Sequence, residues 1–298
     1  MKTAQLIHNP GAGDEEHEKE DLISMIEANG FECRYSSTKK KDLKELDPET
    51  DFLIIAGGDG TIRKVTKVLM ERKAIDKTWP IGLLPLGTAN NIAKTLDLHG
   101  DTEILIKTWH QEKLQTFDVG KICEFEEAPF FLESFGFGIF PYLMQQMKKK
   151  GDETIGEPEE KIRAALKMLH EIIHEYDVKY CHLIIDGTDH SGKYILAEIM
   201  NTKSMGPNLF LAPNADPGDG ILNVVLIPEA DKEKFSAYVL NKLNNKEENY
   251  DFVELKGKKI SIAWDGTHVH IDDEVIKLKK KTEMTVEVRE GLLRFLVP

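Results

Sequence analysis

The chain has 298 residues, of which 41% are hydrophobic and 31% are charged. These proportions are typical of a globular protein, and the length predicts two domains or one large one, with a core that needs no disulfides. The formal net charge of −13 argues against a general nucleic-acid-binding protein, because such a protein needs a basic face.

Cysteine usage and hydropathy bear on the compartment. Cys33, Cys123 and Cys181 are odd in number, widely spaced and without a CxxC pair, which predicts reduced thiols. The amino-terminal sequence lacks the pattern of a signal peptide, and no run of about eighteen apolar residues predicts a membrane span. We therefore expect a cytoplasmic protein.

The first third of the chain alternates between strand and helix patterns. In chain order the predicted elements are a strand at 3–8, a helix at 15–29, a strand at 31–35, a helix at 39–47, a strand at 51–56, a helix at 61–71, a strand at 81–84 and a helix at 91–98. This alternation predicts a Rossmann-like α/β domain, a parallel sheet with helices on its faces and ligands at the carboxyl ends of its strands.

Beyond residue 115 short strand patterns separated by turn residues dominate, and they are interrupted by helices at about 159–176 and 231–245. This texture predicts a mainly antiparallel β-sandwich domain. A last strand at 292–297 is expected to return to the first domain. The predicted domains are therefore 1–115 with about 291–298, which binds nucleotide, and 116–290, which is β-rich.

The strongest motif follows the third predicted strand and opens a helix. It is Gly57-Gly58-Asp59-Gly60-Thr61. Glycines let backbone amides approach phosphate oxygens, and the amino terminus of the helix directs free N–H groups to the same place. Asp59 is a candidate to hold Mg²⁺ or to orient the acceptor, and the Thr61 hydroxyl can donate to an oxyanion. A plain tight turn is the alternative.

Two more loops stand at strand-to-helix junctions. In the loop after the fourth strand, Gly87, Thr88 and Asn90 are candidates for phosphate and ribose contacts. The loop after the first strand, Asn9 to Gly13, contains a Gly-x-Gly pattern at Gly11 and Gly13, but position 16 is Glu where a dinucleotide-binding motif needs glycine. No Walker A motif occurs either. The loops therefore predict nucleotide binding by a different design.

Taken in order, these three loops resemble the catalytic domain of diacylglycerol kinases, and more narrowly the soluble bacterial lipid kinases of a superfamily that includes sphingosine kinases and NAD kinases. The carboxyl-terminal half agrees, since residues 211–222 resemble the family's "laPxAxxxDGll" segment and Asp272-Asp273-Glu274 falls where the family has Asp-Gly-Glu. The resemblance spans essentially the whole chain.

The resemblance implies an activity and a set of site residues. The activity is transfer of the γ-phosphoryl group of ATP to the hydroxyl of diacylglycerol or a related lipid, with Mg²⁺ as cofactor. Asp272 is the implied general base, with Glu274 and Asp59 beside it in the catalytic set. The implied ATP-site residues are Asn9, Gly13, Thr38, Gly57, Gly58, Asp59, Gly60, Thr61, Arg63, Gly87, Thr88 and Asn90.

The resemblance further implies a structural Mg²⁺ held by Asp219 with the carbonyls of Asp216 and Ile221. A kinase of this kind meets its lipid peripherally, at the inner face of the membrane, and a homodimer is left open. The alternatives are an NAD kinase-like phosphotransferase and a catalytically weak nucleotide-binding regulatory protein.

Five positions depart from the family pattern. Where the family usually has Asn and Glu after its glycine-rich loop, this chain has Arg63 and Lys64; Asn91 replaces Asp, Asp273 replaces Gly, and Glu133 stands where Asn is common. The two cations beside the expected nucleotide site, together with Asp273, whose Cβ could shift Asp272 or crowd the substrate, motivate the hypothesis of a weak or regulatory protein.

Two further patterns have competing interpretations. His170-Glu171-Ile172-Ile173-His174 matches the HExxH pattern of zinc proteases, but it borders a helical core stripe and lacks a third ligand at the expected spacing, so core packing is the favoured interpretation. The segment 137–150 mixes aromatics and methionines with lysines, and we favour a helix at the edge of the core over one that dips into a bilayer.

Overall fold

A computed structural model describes residues 1–12, 18–38, 46–71, 77–87, 89–123, 125–126, 128–150, 158–246, 253–279 and 281–298. The chain divides into two compact units, Met1–Phe117 with Gly291–Pro298 and Asp118–Glu290. The predicted helix at 39–47 lies largely outside the described residues. No helix in these ranges is long and apolar enough to cross a bilayer.

The first unit is built on a parallel sheet. Its strands are β1 (Lys2–His8), β2 (Phe31–Ser37), β3 (Phe52–Gly57) and β4 (Ile81–Pro85), in the order β2–β1–β3–β4. Every residue of β3 is buried, as expected for a parallel strand that is covered on both faces. The end of β18 (Glu283–Leu296) adds a further parallel neighbour, with Phe295 opposite Ile81.

The helices of this unit follow the strands. They are α1 (Lys19–Ala28), α2 (Asp59–Met70), α3 (Asn91–Thr95) and α4 (Thr102–Thr108), followed by a 3₁₀ turn at Trp109–Gln111. Their apolar residues recur at helical spacing, so that α1 buries Leu22 and Ile26, four residues apart.

The second unit contains most of the strands. They are β5 (Leu114–Cys123), β6 (Phe130–Phe131), β7 (Ser134–Gly138), β8 (Lys179–Ile185), β9 (Thr188–Asp189), β10 (Gly192–Met200), β11 (Ser204–Met205), β12 (Leu209–Phe210), β13 (Leu222–Pro228), β14 (Val253–Gly257), β15 (Lys259–Trp264), β16 (His268–Ile271) and β17 (Glu274–Lys277). β5 begins in the first unit. The main path β17–β16–β7–β10–β8–β15 and the β10–β13–β14 branch pair antiparallel.

Side chains alternate across these strands between two cores. Along β13, Leu222, Val224 and Leu226 enter one core, while Val225 and Ile227 enter the other. The second core also contains side chains of α5 (Ile139–Lys150), α6 (Pro158–Ile173) and α7 (Lys232–Leu243). The predicted fold class, a parallel α/β unit and a mainly antiparallel β unit, is confirmed.

Candidate functional site

Asn9 joins the loop after β1 to the start of α2. Its backbone N–H donates to the carbonyl of Ala56 at 3.0 Å, and its side-chain amide donates to the hydroxyl of Thr61 at 3.3 Å. A Cβ at position 57 would lie 2.4 Å from that hydroxyl oxygen, so glycine is needed there. Thr61 is buried, at 2% exposure, and its hydroxyl therefore fixes the loop.

Gly58 and Gly87 bring the backbones of the second and third loops into contact. A Cβ on Gly87 would lie 2.4 Å from the Cα of Gly58, and a Cβ on Gly58 would lie 2.9 Å from the Cα of Gly87. Real Cβ atoms do not tolerate such distances, so both positions require glycine for a steric reason. The Leu86 N–H adds a bond to the carbonyl of Gly57 at 3.2 Å.

Asn90 folds the third loop onto itself. Its backbone is left-handed, with φ of 52°, a conformation that Asn tolerates better than most residues. Its side-chain oxygen accepts the N–H of Gly87 at 3.0 Å, and its amide donates to the carbonyls of Pro85 and Gly87 at 3.1 and 2.6 Å. This side chain therefore shapes the loop from within.

Asp59 links the second loop to the helix that follows the third. One carboxylate oxygen accepts the N–H of Asn91 at 2.9 Å and the other accepts the N–H of Ile92 at 3.1 Å. These amides belong to the first turn of α3, where N–H groups lack intrahelical acceptors and the helix dipole favours a negative charge. Asp59 thus caps a helix that begins 32 residues further along the chain.

The start of α2 has the character of an anion site. Gly58 precedes the helix with extended backbone and no side-chain cap. Gly58, Asp59 and Gly60 are all half-buried, and so is the cationic Arg63 one turn later. The amino terminus of a helix attracts phosphate through its N–H groups and its dipole.

Thr38, another residue predicted to contact the nucleotide, directly follows β2. Its backbone N–H donates to the carbonyl of His8 at 3.0 Å.

The structure therefore brings together most of the residues predicted for the nucleotide. Asn9, Thr61, Gly57, Gly58, Asp59, Gly87 and Asn90 share direct contacts or hydrogen bonds at the carboxyl ends of β1, β3 and β4. Gly13 and Thr88 lie outside the described residues.

A cavity of about 70 Å³ lies at the opposite edge of this sheet, near the starts of the strands, where it is lined by residues that include Phe31, Phe52 and Trp109. Typical ligand pockets measure about 300–1,000 Å³, so this cavity is too small for a nucleotide. The glycine loops are the better candidate on chemical grounds.

In the second unit, Asp272 is held in a fixed orientation. It occupies the turn between β16 and β17 with a left-handed φ of 52° and is 9% exposed. One carboxylate oxygen accepts the N–H groups of Leu132, Glu133 and Ser134 at 3.0, 2.8 and 3.3 Å. The side chain is thus aimed by the backbone between β6 and β7.

The neighbours of Asp272 point to solvent. Asp273 and Glu274 are both exposed. Asp273 is not among the residues with positive φ, so the replacement of the family's glycine needs no strained backbone here. Glu133, which replaces the family's Asn, is buried at 8% exposure, and its N–H is one of those that Asp272 accepts.

The proposed metal ligands form a tight turn before β13. The Asp219 carboxylate accepts the N–H of Ile221 at 2.9 Å, and the Asp219 N–H donates to the carbonyl of Asp216 at 3.3 Å. Hard oxygen donors of this kind suit Mg²⁺. The ammonium of Lys256 stands 3.8 Å from Asp219 and would compete with a cation. Among the described residues, no three His, Cys, Asp or Glu side chains group as a metal site.

The HExxH histidines have a structural partner. His170 Nδ1 and His174 Nε2 lie 3.1 and 3.0 Å from the hydroxyl of Ser236 on α7, which joins two packed helices. The apolar face of α5, the helix considered for bilayer contact, is buried as well, through Ile139, Phe140 and Leu143. Packing against neighbouring elements therefore accounts for both segments, as favoured from the sequence.

Sequence reasoning missed the partners of the candidate carboxylates. The amides of Leu132 and Ser134 that orient Asp272, and those of Asn91 and Ile92 that Asp59 caps, are backbone groups with no sequence signature. It also missed Glu198 and His270, which are buried next to the turn that Asp272 occupies. A charged residue in the middle of an apolar strand, as Glu198 is in β10, was the available signal.

Comparison with known proteins shows what the chain is similar to. The profile of the diacylglycerol kinase catalytic domain matches residues 3–122, and that of the YegS C-terminal NAD kinase beta sandwich-like domain matches residues 152–297. A Staphylococcus haemolyticus (strain JCSC1435) protein named "Putative lipid kinase" is 24% identical over 282 residues, which cover 92% of this chain and 84% of that protein. A Staphylococcus aureus (strain bovine RF122) protein named diacylglycerol kinase is 25% identical over 241 residues, covering 77% and 71%.

Two solved structures share the fold. A diacylglycerol kinase from Bacillus anthracis str. Sterne aligns with a TM-score of 0.73 and 22% identity, covering 100% of this chain and 97% of that one. An NAD kinase from Archaeoglobus fulgidus in complex with ATP aligns with a TM-score of 0.55 and 13% identity, covering 99% and 93%. The chain therefore carries a diacylglycerol kinase catalytic domain over residues 3–122 and a YegS C-terminal NAD kinase beta sandwich-like domain over residues 152–297.

Proposed function

We propose that this protein is a lipid kinase that transfers the γ-phosphoryl group of ATP to a hydroxyl of diacylglycerol or a related lipid. The observation that carries the proposal is the convergence of three loops at one edge of the parallel sheet. They are joined by the Asn9–Thr61 hydrogen bond, the Gly58–Gly87 contact and the Asp59 cap on α3.

We assign nucleotide binding to residues 1–115 with 291–298. Phosphoryl transfer consists mainly of positioning and charge neutralisation. The start of α2 and the glycine loops supply N–H groups for the phosphates, and Arg63 adds a positive charge. The proposed ATP contacts come from Asn9, Gly13, Thr38, Gly57, Gly58, Asp59, Gly60, Thr61, Arg63, Gly87, Thr88 and Asn90. The ATP named in the Archaeoglobus NAD kinase structure supports this co-substrate.

We assign the general base to residues 116–290. The Asp272 carboxylate accepts the proton of the attacking lipid hydroxyl, and the amides of residues 132–134 keep it in one orientation. The exposed Glu274 adds negative charge beside it. The Asp219 carboxylate and the carbonyl oxygens of Asp216 and Ile221 would hold a structural Mg²⁺, and a Mg²⁺ ion at the nucleotide would supply charge neutralisation at the phosphates.

The lipid acceptor is supported by the names of the relatives, which include a lipid kinase and a diacylglycerol kinase. Since diacylglycerol resides in a bilayer, the proposed site of action is the inner face of the membrane, reached by peripheral association from the cytoplasm. NAD is the alternative acceptor, favoured by the fold shared with the Archaeoglobus enzyme.

The test is transfer of ³²P from ATP to a total lipid extract, with the labelled product identified by mass. Asp272→Asn removes the acceptor of the proton, and we expect labelling to fall by about 100-fold or more. The matched control is Asp273→Asn, the neutralisation of an exposed neighbour, which should leave labelling within about threefold of the wild type.

Equal labelling by the wild type and Asp272→Asn would contradict the assignment of the base. No labelled lipid together with labelled NAD in a lipid-free assay would move the acceptor to NAD. Tight ATP binding without transfer to either acceptor would favour the regulatory alternative.

A further inference from the structure

Glu198, Gly136 and His270 occupy one register position on three neighbouring strands. Gly136 of β7 is paired with Glu198 of β10 on one side and with His270 of β16 on the other. Because Gly136 has no side chain, the two flanking side chains meet above it. A Cβ at position 136 would lie 2.1 Å from Glu198 Oε2, so any larger residue would separate them.

The pair that meets above Gly136 is fully buried. Glu198 Oε1 and His270 Nε2 are 2.7 Å apart, and both side chains are 0% exposed. The Phe140 ring packs against the imidazole in a T-shaped arrangement at a centroid distance of 4.8 Å. Within the described residues, Glu198 Oε2 has no hydrogen-bond partner.

Stability alone does not account for such a pair. Hydrophobic residues of the same volume usually serve a core at least as well as a buried ion pair, because desolvating the charges is costly. Burial lowers the pKa of His270, but the charge and hydrogen bond of Glu198, together with Asp272, raise it to a net value above the ordinary one. The geometry therefore favours an imidazole that carries protons on both nitrogens.

The other side of the imidazole faces Asp272. His270 Nδ1 lies 2.9 Å from the backbone carbonyl oxygen of Asp272. A carbonyl only accepts, so Nδ1 must carry a proton. On its other side, the Asp272 N–H donates to the carbonyl of Ser134 at 2.8 Å. The left-handed backbone of Asp272 is therefore held at both of its peptide groups.

The carboxylate of Asp272 projects from this left-handed turn. The same residue directs its side chain onto the amides of residues 132–134. Because both peptide groups of Asp272 are hydrogen-bonded, the left-handed turn from which the carboxylate projects is held in one conformation.

We propose that His270, oriented by Glu198, is a positioning residue that holds the turn of Asp272 and thereby aims its carboxylate. The inference rests on the proposed function, in which Asp272 is the general base. In this proposal Glu198 and His270 do not contact the substrate. His270 acts through the hydrogen bond that its Nδ1 donates to the carbonyl of Asp272.

Two substitutions separate the two sides of the imidazole. Asn places its amide nitrogen where His has Nδ1, so His270→Asn retains a donor for the Asp272 carbonyl. Gln places its amide nitrogen where His has Nε2, so His270→Gln reaches toward position 198 and loses the bond to Asp272. Both are made together with Glu198→Gln, so that no unpaired charge is left buried.

The variants are read by steady-state kinetics and by amide hydrogen exchange of residues 132–134, whose N–H groups report directly on the Asp272 carboxylate. The control is Ile199→Ala, which creates a cavity one residue from Glu198, in the core on the other face of β10. It should lower the melting temperature without changing exchange at residues 132–134.

We expect Glu198→Gln/His270→Gln to lower kcat about 10- to 100-fold with little change in the KM for ATP, because a displaced base costs rate and not nucleotide affinity. The same variant should accelerate exchange at residues 132–134. Glu198→Gln/His270→Asn should stay within about threefold of Glu198→Gln in both measurements.

Equal kcat and equal exchange in the Asn and Gln variants would overturn the inference and leave the proposed function intact. If the wild type transfers no phosphate to any acceptor, the proposed function fails. Exchange at residues 132–134 then still decides whether His270 holds the Asp272 turn.

Discussion

At the scale of single residues, the glycines of the candidate site are required by distances and not by flexibility. Gly58 and Gly87 do not have positive φ, and each is needed because the backbone of the other loop is too close for a Cβ. The glycine pattern that predicted phosphate binding from the sequence therefore has a second cause, the packing of one loop on another.

We predict that Gly87→Ala separates these loops, because the added Cβ would lie 2.4 Å from the Cα of Gly58. ATP affinity measured by calorimetry should fall about tenfold or more, and stability should fall by about 1–3 kcal/mol. Gly192→Ala is the matched control, since its Cβ would meet only side-chain atoms of Tyr194, at 3.0–3.1 Å, and Gly192 belongs to the second unit. Unchanged ATP affinity in Gly87→Ala would argue against nucleotide binding at these loops.

The cysteines offer a second prediction at this scale. Burial raises the pKa of Cys33 to about 11, with the charge of Glu27 adding to it, and burial raises the pKa of Cys181 to about 12. Both thiols therefore stay protonated at pH 8 and should react slowly with an aromatic disulfide reagent in the folded protein, but rapidly after unfolding in guanidinium.

The raised pKa values of Cys33 and Cys181 also make the stability of the fold depend on pH. A thiol whose folded-state pKa is raised stabilises the fold below its unfolded pKa of about 8.5, and this contribution is lost as the pH rises toward the folded-state values. Reaction of the folded Cys181 within the mixing time at pH 8 would contradict the burial that the structure shows.

At the scale of elements, the candidate site is organised by helix ends. Asp59 lies in the first turn of α2, and its carboxylate caps α3. The sequence suggested a metal ligand or an acceptor contact for Asp59, and the structure adds a role that spacing could not reveal, because the capped amides lie more than thirty residues away.

Two variants of Asp59 separate the cap from metal binding. Asp59→Asn keeps one oxygen acceptor for the amides of α3, whereas Asp59→Ala removes both. If the cap dominates, Ala should cost about 1–2 kcal/mol of stability and Asn roughly half of that, as measured by chemical denaturation. ATP affinity should follow the same order.

The contrary outcome is equally specific. If Asn and Ala leave stability unchanged but abolish turnover alike, Asp59 acts on a bound cation or on the acceptor and not through α3. A matched control is Asp273→Asn, because that acidic residue is exposed and belongs to the second unit.

The prediction of elements succeeded where periodicity was long and failed where it was short. β3 and α2 follow from an apolar run and a helical repeat. The two-residue strands β9, β11 and β12 carry too few side chains for a period to be read. They exist because a partner strand supplies their hydrogen bonds.

At the scale of the whole molecule, the end of the chain completes the first unit. Phe295 is fully buried, lies opposite Ile81 and packs edge-on against Phe117 at 5.5 Å. The Val297 N–H donates to the carbonyl of Lys113 at 3.0 Å. Residues 291–298 are therefore part of the core of the unit that begins at Met1.

We predict that Phe295→Ala destabilises this unit by about 3–5 kcal/mol, as expected for the loss of a large buried aromatic side chain. Leu292→Ala is the control, since Leu292 is 41% exposed and should cost less than about 1 kcal/mol. The measurement is denaturant unfolding followed by tryptophan fluorescence in a Trp264→Phe background, where the remaining Trp79 and Trp109 are buried in the first unit. Equal midpoints for the two variants would contradict the assignment of this strand to the first unit.

The sequence by itself determined the fold class and the three loops at the strand ends, because apolar runs, helical repeats and glycine turns are local patterns that a chain displays before it folds. The tertiary structure alone decided which groups those loops and carboxylates meet: the amides of α3 for Asp59, the amides of residues 132–134 for Asp272, and the Glu198–His270 pair above Gly136. These contacts join residues that are distant along the chain, and they form only when the strands, in their register, bring the loops and turns together.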